Sequence, residues 1–224
     1  MLNESKGNMF EWVTHTFNPI KGRCSHDCDY CFMKAWGEQK PLRLDEKELK
    51  CDLGKDNFIF VGSSTDLFAA DVPEEWIVKV LECCAKFKNS YVFQSKNPMR
   101  YFHFLGYFVE LFLAQGKNIV LGTTIETNRH YKQMKNAPSP KRRSSALSHY
   151  TGPKMITIEP IMDFDHDILV DLIRNAGPKW VNIGADSKNH GLPEPSKEKL
   201  QKLIDELEQI TEVKKKSNLR RLLK

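Results

Sequence analysis

Three of the six cysteines crowd into eight residues, Cys24-Ser-His-Asp-Cys28-Asp-Tyr-Cys31. Thiolates this close in sequence can converge on one metal centre, and soft sulfur ligands select zinc or iron–sulfur clusters. A closed structural zinc site takes four protein ligands. An iron–sulfur cube usually takes four cysteines as well, and only three are near one another here. Three thiolates would leave one iron of a [4Fe–4S] cluster open to bind and reduce a cofactor. A Cys3His zinc site that uses His26, inside the first spacer, is the competing arrangement, and the sequence leaves it open. Cys51, Cys83 and Cys84 stand apart. Cys83 and Cys84 fall in WIVKVLECCAKF, which reads as an amphipathic helix. Successive helical residues point about 100° apart, so this pair reads as buried thiols and not as one ligand site.

Short apolar runs that alternate with helical segments must position the cysteine loop. Strands are expected at Phe10–Asn18, Phe58–Val61, Ser90–Lys96, Asn118–Glu126, Lys154–Ile161 and Lys179–Asp186. Pro73 opens a helix with Glu74 and Glu75 in its first turn, where the dipole favours acids. A second helix runs from Pro98 to a stop at Gly116. Ser144–Tyr150 is a helical candidate, HDILVDLIRNAG ends at Gly177, and Ser196 caps KEKLQKLIDELEQI. Six strands mostly followed by helices give an α/β fold with parallel strands wound in βα units. Right-handed crossovers then make an open sheet or a partial (β/α)6 barrel. A full eight-unit barrel takes about 250 residues, more than the 224 present. One domain over 1–224 is expected, with a C-terminal helix and basic tail over 196–224. A single cluster is expected, since the stretch after Asn189 is short for a large auxiliary-cluster domain.

Ligands in such folds bind beyond the carboxyl ends of the strands, and the polar residues here collect at those ends. The second strand runs into Gly62-Ser63-Ser64-Thr65-Asp66, where glycine permits close backbone approach and the side chains offer polar contacts. Gln94 and Lys96 end the third. At the fourth, Thr124 and Glu126 share a face if the strand period continues, and Arg129 could grip a carboxylate with two hydrogen bonds. Glu159 ends the fifth. An acid inside an apolar strand is costly unless paired or functional, which makes Glu159 the foremost candidate outside the cysteines. Asp186 ends the sixth and is a candidate for substrate contact.

The formal net charge is +5 and the sequence pI about 8.8. Much of the excess lies in PSPKRRSS (Pro138–Ser145) and in KKKSNLRRLLK (Lys214–Lys224). Basic clusters can neutralise phosphates, or they can be a solvated loop and a frayed terminus. No apolar run approaches the roughly 20 residues of a membrane helix. The start, MLNESKGNMFEW, lacks the order of a signal peptide. A cytoplasmic protein is expected, where thiols stay reduced.

The spacing C-x3-C-x2-C, with aromatic Tyr30 before the third cysteine, resembles the signature of the radical S-adenosylmethionine (SAM) superfamily. That resemblance implies a [4Fe–4S] cluster on Cys24, Cys28 and Cys31, in a loop after the first strand of the barrel. Its open iron would chelate SAM, whose reductive cleavage releases methionine and a hydrogen-abstracting 5′-deoxyadenosyl radical. The resemblance places Tyr30 and Phe32 near the adenine. It places Gly62, Ser63, Ser64 and Asp66 where the superfamily carries a Gly-Gly-Glu-like motif; Ser63 replaces the second glycine. It assigns Thr124, Glu126 and Arg129 to the SAM ribose or carboxylate. Glu159, Asp186, Gln94 and Lys96 are then left for catalysis or substrate. An electron donor such as flavodoxin or ferredoxin is implied.

The runs W-V-T-H-T-F-N-P, V-G-S-S-T-D-L-F, V-P-E-E-W and I-T-I-E-P, with the cysteine loop, resemble the phage Gp37/Gp68-type proteins from Trp12 to Asn189. Such proteins tend to occur beside a three-cysteine-motif partner. This chain departs from them in its short length and in T-H-T-F-N-P, where many relatives are rich in tryptophan. The implied function is radical SAM chemistry on a nucleic-acid base, nucleotide or related metabolite. The alternatives are a zinc or iron–sulfur module that recruits nucleic acid or a protein, and radical chemistry on a protein or peptide.

Overall fold

The computed structural model describes residues 2–5 and 10–224. They fall into two compact units: Met1–Ser25 with Trp36–Leu121, and His26–Ala35 with Gly122–Lys224.

In the first unit β1 (Asn3–Glu4) pairs antiparallel with β2 (His15–Phe17), Asn3 opposite Thr16. A second small ladder joins β3 (Ile20–Lys21) and β4 (Arg43–Leu44), also antiparallel. β5 (Phe58–Val61) runs parallel to β2, and β6 (Ser90–Gln94) runs parallel to β5. The crossover between β5 and β6 is α1 (Glu74–Ala85), which follows Pro73 and carries Glu74 and Glu75 in its first turn. It buries Ile77, Val80, Leu81, Cys83 and Cys84, the stripe an amphipathic helix presents to a core.

The first strand is shorter than its sequence implies. Over residues 10–13 the chain turns, with Val13 N donating to Phe10 O. The Phe10 and Trp12 rings stack 5.2 Å apart, so ring packing replaces the ladder there. The segment after β6 is likewise broken: a 3-10 turn over Pro98–Phe104, α2 (Leu105–Leu111), and a second 3-10 turn over Leu113–Gln115. It is rich in aromatics and contains Gly106, and both weaken a helix. What holds it is ring packing: Phe68 meets the Tyr101 ring edge-on at 4.8 Å, and Phe93 lies 5.5 Å from Phe108. Gly116 ends the segment in the left-handed region, φ +67°, as its sequence position implies.

Buried along its whole length, β7 (Ile119–Thr124) begins in the first unit and ends in the second. The second unit continues with α3 (Pro140–Ser148), β8 (Lys154–Ile158), α4 (His166–Ala176), β9 (Trp180–Ile183), α5 (Lys197–Glu208) and β10 (Glu212–Lys215). β8, β9 and β10 run parallel, with Met155 and Glu212 on either side of Trp180. Gly177 stops α4 with φ +61°, and Ser196 Oγ caps α5 by accepting from Lys199 N. The architecture is therefore α/β with mostly parallel strands, as expected.

The two basic stretches depart from their reading as a solvated loop and a frayed end. PSPKRRSS opens α3, with Ser139 Oγ accepting from Arg142 N and Pro140 at the first helical position, where its missing N–H is harmless. The tail forms β10 and then a 3-10 turn over Ser217–Leu222, with Leu219 buried. Among the described residues no helix is long and apolar enough to cross a membrane.

Candidate functional site

The cysteine loop sits on the segment that leads to α3. Asp29 N donates to Gln133 O at 2.9 Å, Asn136 N to His26 O at 3.1 Å, and the Cys28 thiol to Met134 O at 3.6 Å. Cys28 and Tyr30 pack in an apolar cluster with Met134, Ala137, Met162 and Leu192. Asp27 adopts φ +51°, a conformation aspartate tolerates better than most residues, and its carboxylate takes an ion pair from Lys34 at 2.9 Å. Phe32 begins the 3-10 turn Phe32–Trp36 and is exposed, as is Trp36.

Beneath the loop lies a buried polar chain. The Tyr30 hydroxyl donates to Glu126 Oε1 at 2.6 Å, and Arg143 Nη1 donates to Glu126 Oε2 at 2.7 Å. Arg143 also reaches Thr124 O at 2.5 Å and, through Nε, Pro138 O at 2.7 Å. The Glu126 and Arg143 side chains are both 0% exposed, and Arg143 Nη2 is buried without a hydrogen-bond partner. Burial, with the Glu126 carboxylate beside it, pushes the Tyr30 hydroxyl well above its ordinary range.

All six cysteines are thiols; Cys28, Cys83 and Cys84 are buried and the others partly so. Burial raises the Cys83 and Cys84 thiols above their usual range, which keeps them protonated and inert. Among the described residues no three His, Cys, Asp or Glu side chains are gathered to hold a metal ion. The donor set of the loop nonetheless suits an iron–sulfur cluster chemically: three thiols in a short segment, outside any disulfide.

In the first unit the expected residues at the β5 end form a tight turn. Gly62 has φ +77°, and a Cβ there would lie 3.1 Å from Thr65 O and 3.2 Å from Leu67 Cβ. Asn18 Oδ1 accepts from Ser63 Oγ at 3.1 Å and from Ser64 N at 2.9 Å. Asp66 stitches two strand ends together: Oδ1 accepts from Phe68 N, and Oδ2 from Ser95 Oγ at 3.0 Å and Lys96 N at 2.8 Å. Gln94 and Lys96 are half-buried beside it.

In the second unit Thr124 and Glu126 are both buried. Arg129 grips two acids from the loop after β8. It pairs with Asp163, and its Nη2 lies 2.6 Å from Asp165 Oδ1. Asn128 joins them by donating to Asp165 Oδ2 at 3.0 Å and accepting from Asp165 N at 2.7 Å. The Arg129 guanidinium, with Asn128, holds the Asp165 carboxyl down at about 2. Desolvation works against ionisation of Asp163, but Lys199 and Arg129 outweigh it and lower its pKa.

Glu159 is paired by the C-terminal segment. Its Oε2 accepts from Lys216 Nζ at 2.6 Å and its Oε1 from Asn218 Nδ2 at 3.0 Å. Asp186 accepts from His190 Nδ1 at 2.6 Å and from Lys188 N at 3.2 Å. Desolvation opposes the Asp186 charge, and the His190 hydrogen bond overcomes it, so the carboxyl stays below its usual range. The structure thus brings Tyr30, Thr124 and Glu126 together through Arg143 and leaves Arg129 in a separate cluster. Arg143, Asp163, Asp165, Lys216, Asn218 and His190 complete these clusters and were not among the residues expected from the sequence. An acid after a strand is visible, but its partner 57 residues away, as Lys216 is from Glu159, has no local signal.

A mostly parallel α/β chain with its cysteine loop after the first parallel strand has counterparts of known structure. Spore photoproduct lyase with bound AdoMet and dinucleoside spore photoproduct matches with TM-score 0.60 at 12% identity, over 85% of this chain and 61% of that one. A singly substituted form of the lyase matches with TM-score 0.65 at 13% identity, over 95% and 78%. The lyase complexed with dinucleoside spore photoproduct matches with TM-score 0.55 at 13% identity, over 82% and 58%. At these identities the likeness is one of fold, and the chain spans about three fifths of the first of these structures. The chain belongs to the family described as protein of unknown function (DUF5131), whose model matches residues 7–193. No curated protein matches it. Lys216 and Asn218 lie beyond the matched region.

Proposed function

We propose that this chain is a radical SAM enzyme that acts on a nucleic-acid base or nucleotide. The observation that carries this reading is the C-x3-C-x2-C loop in a chain with the fold of spore photoproduct lyase. Cys24, Cys28 and Cys31 would hold a [4Fe–4S] cluster, in keeping with a partial (β/α)6 arrangement and the likeness to Gp37/Gp68-type proteins. When bound, the cluster supplies the electron that cleaves SAM and so the carbon radical that takes hydrogen from substrate.

The rest falls to the chain. The Tyr30 ring and the backbone at Phe32 flank the adenine. The Gly62-Ser63-Ser64 turn offers hydroxyls and close backbone approach to the methionine end of SAM, its shape fixed by Asn18. Glu159, Asp186, Gln94 and Lys96 are the residues proposed for substrate contact or catalysis. The Asp186 carboxyl is held below its usual range by its protein donors, so it offers substrate an ionised acceptor; Glu159 is positioned by Lys216 and Asn218. A nucleic-acid substrate agrees with the net charge of +5 and with the dinucleoside in the lyase structures. A flavodoxin- or ferredoxin-type donor supplies the electron, and a three-cysteine-motif protein is the candidate partner.

The test is label transfer. The anaerobically reconstituted protein, reduced and given SAM, should move deuterium from a deuterated oligonucleotide into 5′-deoxyadenosine. Transfer from deuterated peptide alone would shift the substrate class, and no 5′-deoxyadenosine at all would remove the enzymatic reading.

A further inference from the structure

We infer that Glu126 and Arg143 are positioning residues: a buried ion pair that holds the Cys28–Cys31 stretch in place through the Tyr30 hydroxyl. The cluster-holding role of that stretch rests on the function proposed above; the anchoring itself does not.

Both charges are fully buried, and burying two ions costs more than their attraction usually returns. An apolar pair of similar volume would serve a core at least as well. The pair is also incompletely satisfied, since Arg143 Nη2 has no partner. Position, and not stability, is what this arrangement provides. Arg143 fixes three points at once: Pro138 O before α3, Thr124 O at the end of β7, and the Glu126 carboxylate just beyond it. Glu126 is held a second time through its backbone, since its carbonyl accepts from Met162 N at 3.0 Å. A carboxylate fixed this way has one oxygen left to aim, and it points at Tyr30, 96 residues away in sequence.

Tyr30 lies between the second and third cysteines. The rest of the loop is held by backbone bonds to Gln133 and Asn136, in the segment that ends at the Pro138 carbonyl Arg143 clamps. One guanidinium therefore braces both supports of the loop. Both Glu126 oxygens face protein donors, Tyr30 and Arg143, so its role here is to hold the loop.

The test is amide hydrogen exchange on the metal-free full chain. Tyr30→Phe removes one hydrogen bond to an ion, which is worth roughly a ten- to hundredfold change in local opening. The amides of Asp29, Cys31 and Asn136 should exchange faster by that factor, and Leu200 in α5 should not change. Two double variants separate position from stability. Glu126→Gln with Arg143→Met removes both charges but keeps an acceptor for Tyr30, and should restore slow exchange in the loop. Glu126→Leu with Arg143→Met keeps an apolar core without the acceptor, and should leave the loop fast. In reconstituted protein the rate at which a chelator strips iron should follow the same order. Slow loop exchange in the leucine variant, or in Tyr30→Phe, would overturn the inference. A wild-type protein that takes up no iron would defeat the proposed function while the amide comparison still decided this one.

Discussion

Gly184→Ala probes the placement of the foremost candidate acid. A Cβ on Gly184 would lie 2.6 Å from Glu159 Oε1, 2.7 Å from its Cδ and 2.9 Å from its Cγ. Ordinary contact begins at 3.4 Å, so Oε1 must retreat by 3.4 − 2.6, about 0.8 Å. Because Cγ is also too close, rotation of the carboxylate alone cannot relieve the clash. The whole side chain must swing, and it then loses Lys216 at 2.6 Å and Asn218 at 3.0 Å. Overpacking of this kind costs about 1–3 kcal/mol. The Lys216 ion pair is mostly shielded, with side chains 19% and 17% exposed, and its loss adds about 1 kcal/mol after allowance for solvent. At roughly 2–4 °C per kcal/mol for a chain of this size, Tm should fall by about 5–15 °C in scanning calorimetry. Lys216 should also become more reactive toward an amine-acylating reagent, read by mass spectrometry. Adding Glu159→Ala removes the clashing atoms and should recover part of the lost Tm. An unchanged Tm together with unchanged Lys216 labelling would mean that Glu159 does not pack against Gly184.

Three further outcomes follow from the same geometry. Glu126→Gln leaves the Arg143 guanidinium buried without its counter-ion, and denaturation should show a loss of about 3–5 kcal/mol; a loss below 1 kcal/mol would mean the pair is solvated. Cys24→Ala, Cys28→Ala and Cys31→Ala should each abolish iron retention after reconstitution, whereas Cys83→Ala and Cys84→Ala should retain iron and lose only about 1 kcal/mol of stability. The reverse pattern of iron loss would mean that the wrong thiols are assigned. Asp165 has a folded pKa depressed to about 2 by Arg129, so its contribution is present above the unfolded value near 4 and is lost as pH falls toward 2. Carboxyl NMR should show this titration in the wild type and should move it upward in Arg129→Met; an unmoved titration would dissolve the Arg129–Asp165 pair.

Much of the frame was legible because it depends on local chemistry. Gly116 and Gly177 end their helical segments in the left-handed region, and Ser196 caps α5, as glycine and serine do wherever a chain needs those conformations. The apolar cores of β5 through β9 stand where their apolar runs place them. The buried thiols of α1 follow from helical periodicity alone. What escaped depends on distance or on one side chain among like neighbours. In Lys141-Arg142-Arg143 only the last is buried, and a run of cations carries no mark of which one turns inward. The tail strand Glu-Val-Lys-Lys is mostly charged and is recruited by β9, not by any propensity of its own. Arg129 lies close in sequence to Glu126 but pairs with Asp163 and Asp165, while Glu126 is held by Arg143.

Three cysteines that leave one corner of an iron cluster vacant make a site that spectroscopy can read. Electron paramagnetic resonance of the anaerobically reconstituted, reduced protein, recorded with and without SAM, tests it most directly. About four irons per chain and a cluster spectrum that shifts when SAM is added are expected. A spectrum indifferent to SAM, or a protein that binds one zinc tightly and takes no iron, would contradict it.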